Sequence, residues 1–217
     1  MALTTIEKVR LLTDLSTSDI SDADLTSLIT EATKELMYAI NNKITREKVR
    51  YIDATRENDI DGSNTTYYLV NWKGKFIGDN NLDGSVDTSD IIVYMVDSDS
   101  VETQATVSSI DVDDCKFVLD TAYSSDYSMY ITYSYTHFDP DTPDPLLNLA
   151  ATYLTASYAY LKRDVGMSGA QKFGNVSINT KLSDTYGQYY QKYSDILKKL
   201  NSFAWFESNW IESKVSI

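Results

Sequence analysis

One stretch of the sequence gathers oxygen donors at the spacing a hard cation needs: Asp79-Asn80-Asn81-Leu82-Asp83-Gly84-Ser85-Val86-Asp87-Thr88-Ser89-Asp90. Calcium takes six or more oxygens, and an acidic loop supplies them at alternating positions, with a glycine sixth for the sharp turn. Asp79, Asn81, Asp83, Asp87 and Asp90 fall at loop positions one, three, five, nine and twelve. Gly84 is sixth, Ser85 would give its backbone carbonyl, and position nine usually acts through water. The expected ligands of a structural Ca2+ are therefore Asp79, Asn81, Asp83, Ser85, Asp87 and Asp90. The competing reading is an acidic turn that holds no ion. With no His or Cys nearby in the sequence, a catalytic metal is not expected.

Other reactive residues are sparse. His137 is the only histidine, and it stands between a strand and a proline-rich stretch, where a surface or interface role is expected. Cys115 is the only cysteine, so no intramolecular disulfide can form. It has no sequence-adjacent histidine to activate a thiolate and is expected in a β core. The sequence lacks a nucleophile elbow, a phosphate-cradling loop and zinc spacing. An acid/base enzyme with paired carboxylates, such as a glycosidase, is the remaining catalytic option. Solvation and calcium account for most of the acid, so a non-enzymatic protein is expected.

The elements that must position these residues follow from pattern and charge. The 217-residue chain carries a net charge of −13, which argues against a free nucleic-acid binder. Residues 53–144 hold 19 of the 32 acidic residues but only 4 of the 19 basic ones, so two structural units are expected. The start, MALTTIEKVR, has no apolar core of signal-peptide length, and Ile91 to Val96 is too short to span a bilayer. A soluble protein made in the cytoplasm, without membrane contact, is the expectation.

Thr4 and Glu7 have capping-box spacing for a short helix ended by Ser16 to Asp19. A second helix starts near Ser21, with Asp22 and Asp24 in its first turn. Leu25, Leu28, Ile29, Ala32, Leu36, Ala39 and Ile40 form its apolar stripe before Asn41 and Asn42 end it. From about Val49 the period changes to two. Tyr67 to Asn71, Ile91 to Val96, Gln104 to Ile110, Lys116 to Leu119 and Ser128 to Tyr135 read as strands of an antiparallel domain or barrel. Pro140, Pro143 and Pro145 make a stiff connector, with Asp144 capping a helix to about Arg163. Its face is Leu146, Leu149, Ala150, Tyr153, Leu154, Ser157, Tyr158 and Leu161. Phe173 to Thr180 reads as a strand or hairpin arm, and Ser183 to Leu200 as a last helix. Tyr186, Tyr189, Tyr190 and Tyr193 cover more than one face of it, so some are expected at an oligomer interface. An aromatic tail follows.

The fold expected is α+β: a helical bundle from residues 1–45 and 140–217, and an inserted acidic antiparallel β-domain at 46–139.

Two resemblances bear on function. The 79–90 loop resembles the calcium loop of dockerin modules, which also favour Asp at position twelve. Dockerins pair two such loops; here there is one, followed by a strand-like segment, so a true dockerin is excluded. The second rests on Ile6-Glu7-Lys8-Val9-Arg10-Leu11-Leu12, Asp22-Ala23-Asp24-Leu25-Thr26-Ser27-Leu28-Ile29, Leu146 to Leu161, Phe173-Gly174-Asn175-Val176-Ser177-Ile178 and Tyr189-Tyr190-Gln191-Lys192-Tyr193 to Leu200. In this order the segments resemble the head-to-tail connector (adaptor) family of tailed phages. The acidic middle departs from compact family members. The resemblance implies a homo-oligomeric ring, commonly of twelve subunits, below the portal of the virion. It extends the DNA channel, with DNA only as passing cargo, and docks the next neck or tail protein. The family's C-terminal segment often inserts into the portal, and Phe203, Trp205, Phe206, Trp210 and Ile211 stand at that position. Aromatic clusters of this kind also serve as binding hot spots. The alternatives are a tail-completion protein and a calcium-dependent binding or adhesion module.

Overall fold

Thr5 rather than Thr4 starts the first helix, α1 (Ile6–Thr13), by accepting from Lys8 N at 3.3 Å in a computed structural model of the chain. The structure describes residues 3–71, 75–140, 142, 144–167 and 184–214, with the backbone alone at 165–167, 184 and 202–214. The capping-box reading of Thr4 is corrected: Thr4 is buried, and its hydroxyl bonds that of Thr152 at 2.7 Å. A buried hydroxyl must find a partner, and here a distant one displaces the local amide. Helix α2 (Asp22–Ile40) begins as expected, with Ser21 Oγ accepting from Asp24 N at 3.1 Å and donating to its carboxylate at 2.9 Å. Helix α3 (Pro145–Met167) is capped by Asp144, whose carboxylate accepts from Leu146 N at 2.6 Å. It buries Leu147, Ala151 and Leu154, whereas Leu149, expected inside, is exposed.

Helix α4 (Asp184–Lys214) does not stop at Leu200 but runs through the segment read as a tail. The Phe173 to Thr180 arm lies outside the described residues. Val9, Leu15, Ile20, Leu25, Leu28, Ile29 and Ala159 join α1, α2 and α3 in one apolar cluster. Tyr189 on α4 lies between Tyr153 and Tyr160 of α3, with ring centres 6.1 and 5.5 Å away, and donates to Leu12 O at 2.9 Å.

The strands are β1 (Asn42–Lys48), β2 (Thr66–Tyr68), β3 (Phe76–Gly78), β4 (Ile92–Val96), β5 (Glu102–Ala105), β6 (Val107–Asp111), β7 (Lys116–Leu119) and β8 (Ser128–Thr136). One antiparallel sheet has the order β1-β8-β4-β5, with β3 also on β8; the other is β2-β7-β6. Both contribute to one core that includes Tyr67, Ile77, Val93, Met95, Phe117, Met129, Ile131 and Tyr133. The stretch expected as a single strand from Gln104 to Ile110 is broken at Thr106, so that β5 and β6 belong to different sheets. β1 starts directly after α2 and pairs with β8 from Asn42, so residues 42–45 are strand and not part of a helical domain.

The chain divides into two compact units, residues 1–39 with 143–203 and residues 40–142 with 204–217. The first dividing point falls earlier than 45/46, because β1 belongs with its sheet; the second falls at 142/143 rather than 139/140, and residues 204–217 group with the β unit rather than the helical one. The architecture is α+β with antiparallel sheets.

Candidate functional site

The 79–90 loop is an excursion from one flank of β8. Gly78 of β3 pairs with Ser134, and Ile92 of β4 pairs with Thr132, so residues 79–91 leave and rejoin the sheet at adjoining positions. Such a loop, with its ends held together by a rigid strand, is a compact Ω-type element. Two buried carboxylates hold it. Asp79 is 2% exposed and accepts from Asp83 N at 3.2 Å and Gly84 N at 2.8 Å. Asp90 is 0% exposed and accepts from Asn80 N at 2.6 Å, Asn81 N at 3.1 Å and Asp87 N at 2.9 Å. Gly84 has φ +96°, the left-handed region that the sharp turn requires of a glycine.

The more exposed donors make local turns. Asp83 accepts from Ser85 N at 2.9 Å and Ser85 Oγ at 2.7 Å, Asn81 Oδ1 accepts from Asp83 N at 2.9 Å, and Asp87 accepts from Ser89 N at 2.8 Å. From outside the loop, Asn41 Nδ2 donates to Asp79 O at 2.8 Å and Ser134 Oγ to Asn80 Oδ1 at 3.2 Å. Burial pushes the Asp90 carboxyl above its ordinary value, the amides of Asp87, Asn81 and Asn80 pull against this, and the Asp79 charge adds to the rise. Hydrogen bonds from the Ser85 hydroxyl and amide hold Asp83 below its ordinary value.

The six candidate ligands thus share one loop, but among the described residues no three His, Cys, Asp or Glu side chains converge as a cation-holding group. The carboxylates are turned to loop amides. Two contacts fill both lone pairs of Asp83 Oδ1, Asp87 Oδ1 and Asp90 Oδ1, so the acceptor capacity left on these carboxylates lies on their second oxygens.

The aromatic candidates Phe203, Trp205, Phe206, Trp210 and Ile211 lie on the continuous helix α4, and their side chains are outside the described residues. His137 stacks edge-on to Tyr135, with ring centres 6.2 Å apart. Cys115 is fully buried, as expected, and donates to Lys75 O at 3.1 Å.

Pattern reading missed two groups. Tyr133, fully buried, donates to Glu47 Oε2 at 2.7 Å and accepts from Asn71 Nδ2 at 3.0 Å. Arg46 sits at a bulge in β1 with φ +57°, lies over the rings of Tyr130 and Tyr94 at 5.3 and 5.9 Å, and pairs with Glu102. Arg46 lies before Val49, ahead of the segment read as period two, so no local pattern marked it, and nothing local marked the Tyr133 partners. Among the described residues no helix is long and apolar enough to cross a membrane. The chain matches no family model, and no curated protein matches it.

Proposed function

We propose that this chain is a structural virion protein, the head-to-tail connector (adaptor) subunit of a tailed virus. In this reading its four helices form a bundle, copies close into a ring below the portal, and the acidic β unit is an insertion beside a channel through which DNA passes as cargo. The observation that carries the reading is the joining of the two chain ends: Val9 and Leu25 share a cluster with Ala159, and Tyr189 bonds Leu12 O. A ring needs a heterologous contact between unlike faces of neighbouring copies. An acidic wall repels DNA and lets it pass without sticking. The experiment is mass photometry over a range of protein concentrations, with and without the cognate portal. Concentration-dependent or portal-driven rings are expected; a protein that stays monomeric and ignores the portal overturns the reading.

Calcium belongs to the same proposal as a structural ion, held by Asp79, Asn81, Asp83, the Ser85 carbonyl, Asp87 through water, and Asp90. Alternating oxygens around a left-handed Gly84 and two buried carboxylates support it. If calcium binds but no ring forms, a calcium-dependent binding or adhesion module becomes the better reading. A tail-completion subunit would assemble without recruiting to the portal.

A further inference from the structure

We infer that neighbouring copies dock head to tail by seating α1 of one copy in a groove between α2 and α3 of the next. The inference rests on the ring reading and names its contact. The groove has a volume of about 540 Å3 and is lined by Leu28, Glu31, Glu35, Tyr158, Leu161 and Lys162. Its apolar lining is Leu28, Leu161 and the ring of Tyr158. Its walls differ in charge. Glu31 and Glu35 stand one turn apart on α2, and Lys162 stands on α3, where it also reaches Asp24 at 2.6 Å. Tyr158 Oη donates to Glu35, which fixes that carboxylate at the rim.

A matching knob lies in the same unit. Leu11 on α1 is 85% exposed, while Val9 and Thr13 on the same helix turn inward. Glu7 and Lys8 lie one turn before Leu11 and flank it on either side. Seating Leu11 against Leu28 and Leu161 with Lys8 toward Glu31 and Glu35 brings Glu7 toward Lys162. Turning the helix end for end sets like charges together, so the charges select one direction of docking. Knob and groove are unlike patches of one chain. Their contact is heterologous, and repeating it builds a ring or an open filament. The occupant is therefore a second copy of this chain.

The test uses the full chain and Leu11→Glu, Lys8→Glu, Glu31→Lys and the Lys8→Glu/Glu31→Lys pair, with mass photometry for assembly and circular dichroism melting for folding. All three positions are exposed, so wild-type melting is expected. Leu11→Glu should weaken self-association about tenfold or more, the scale of one buried leucine. Each single charge reversal should weaken it, and the pair should restore it. Folded variants that all assemble like the wild type overturn the docking and leave the ring reading standing. A wild-type protein that stays monomeric at every concentration also overturns the docking; the ring reading falls with it only if the portal fails to recruit the chain.

Discussion

At the scale of single residues, burial decides reactivity and cost. Cys115 is fully buried, and burial pushes its thiol up to about 12. The folded protein should therefore resist a chromogenic disulfide reagent at pH 8 and release one equivalent of thiol on unfolding in guanidinium. Rapid modification of the native protein would contradict that burial. Asn58, 4% exposed, acts as a piece of strand: its Nδ2 donates to Arg50 O at 3.0 Å and Tyr68 O at 2.9 Å, and its Oδ1 accepts from Tyr68 N at 2.8 Å. Asn58→Ala removes all three bonds and strands backbone groups without partners. A loss of about 2–4 kcal/mol is expected, read from the urea midpoint.

At the scale of elements, the 79–90 loop and α4 make separate predictions. Burial raises the Asp90 carboxyl, so ionising it costs more in the folded state than in the unfolded chain. Its contribution to stability is full below the unfolded value and is lost as pH rises through the folded one. Calcium binds the ionised form, so the melting-temperature gain from calcium over chelator should grow as pH rises through that range. Asp79→Ala and Asp83→Ala should abolish the gain; an unchanged gain would remove the ion from this loop. For α4, Tyr189 supplies both a ring held between Tyr153 and Tyr160 and a hydroxyl bound to Leu12 O. Tyr189→Ala should cost about 2–4 kcal/mol, and Tyr189→Phe about 1 kcal/mol, because the phenylalanine keeps the stack and loses only the hydrogen bond.

At the scale of the whole molecule, two compact units carry unlike charge. A chain of this kind departs from all-or-none unfolding, and the calorimetric enthalpy should exceed the van't Hoff enthalpy. Repulsion within the acidic unit is screened as the Debye length falls from about 30 Å at 0.01 M to about 8 Å at 0.15 M salt. Added salt should therefore raise the transition that Asn58→Ala lowers and move the other one less. A single transition shifted uniformly by both changes would contradict independent units.

The local periods carried much of the fold. Leu25, Leu28, Ile29, Ala32, Leu36 and Ile40 of the α2 stripe and the inward residues Met129, Ile131 and Tyr133 of β8 are buried as their spacing demands, with Ala39 half-buried. The oxygen alternation of 79–90 was also readable in the chain itself, whereas the last helix, read as ending at Leu200, runs on to Lys214. Tertiary structure decided what depends on distant partners. Thr152 drew Thr4 away from the helix start, β8 drew Asn42 into a strand, and two sheets divided the segment at Thr106. The same strand closed the ends of the 79–91 excursion at Thr132 and Ser134. A side-chain period is set by neighbours along the chain, whereas hydrogen-bond partners across a sheet or between helices are chosen in space, where sequence separation carries no signal.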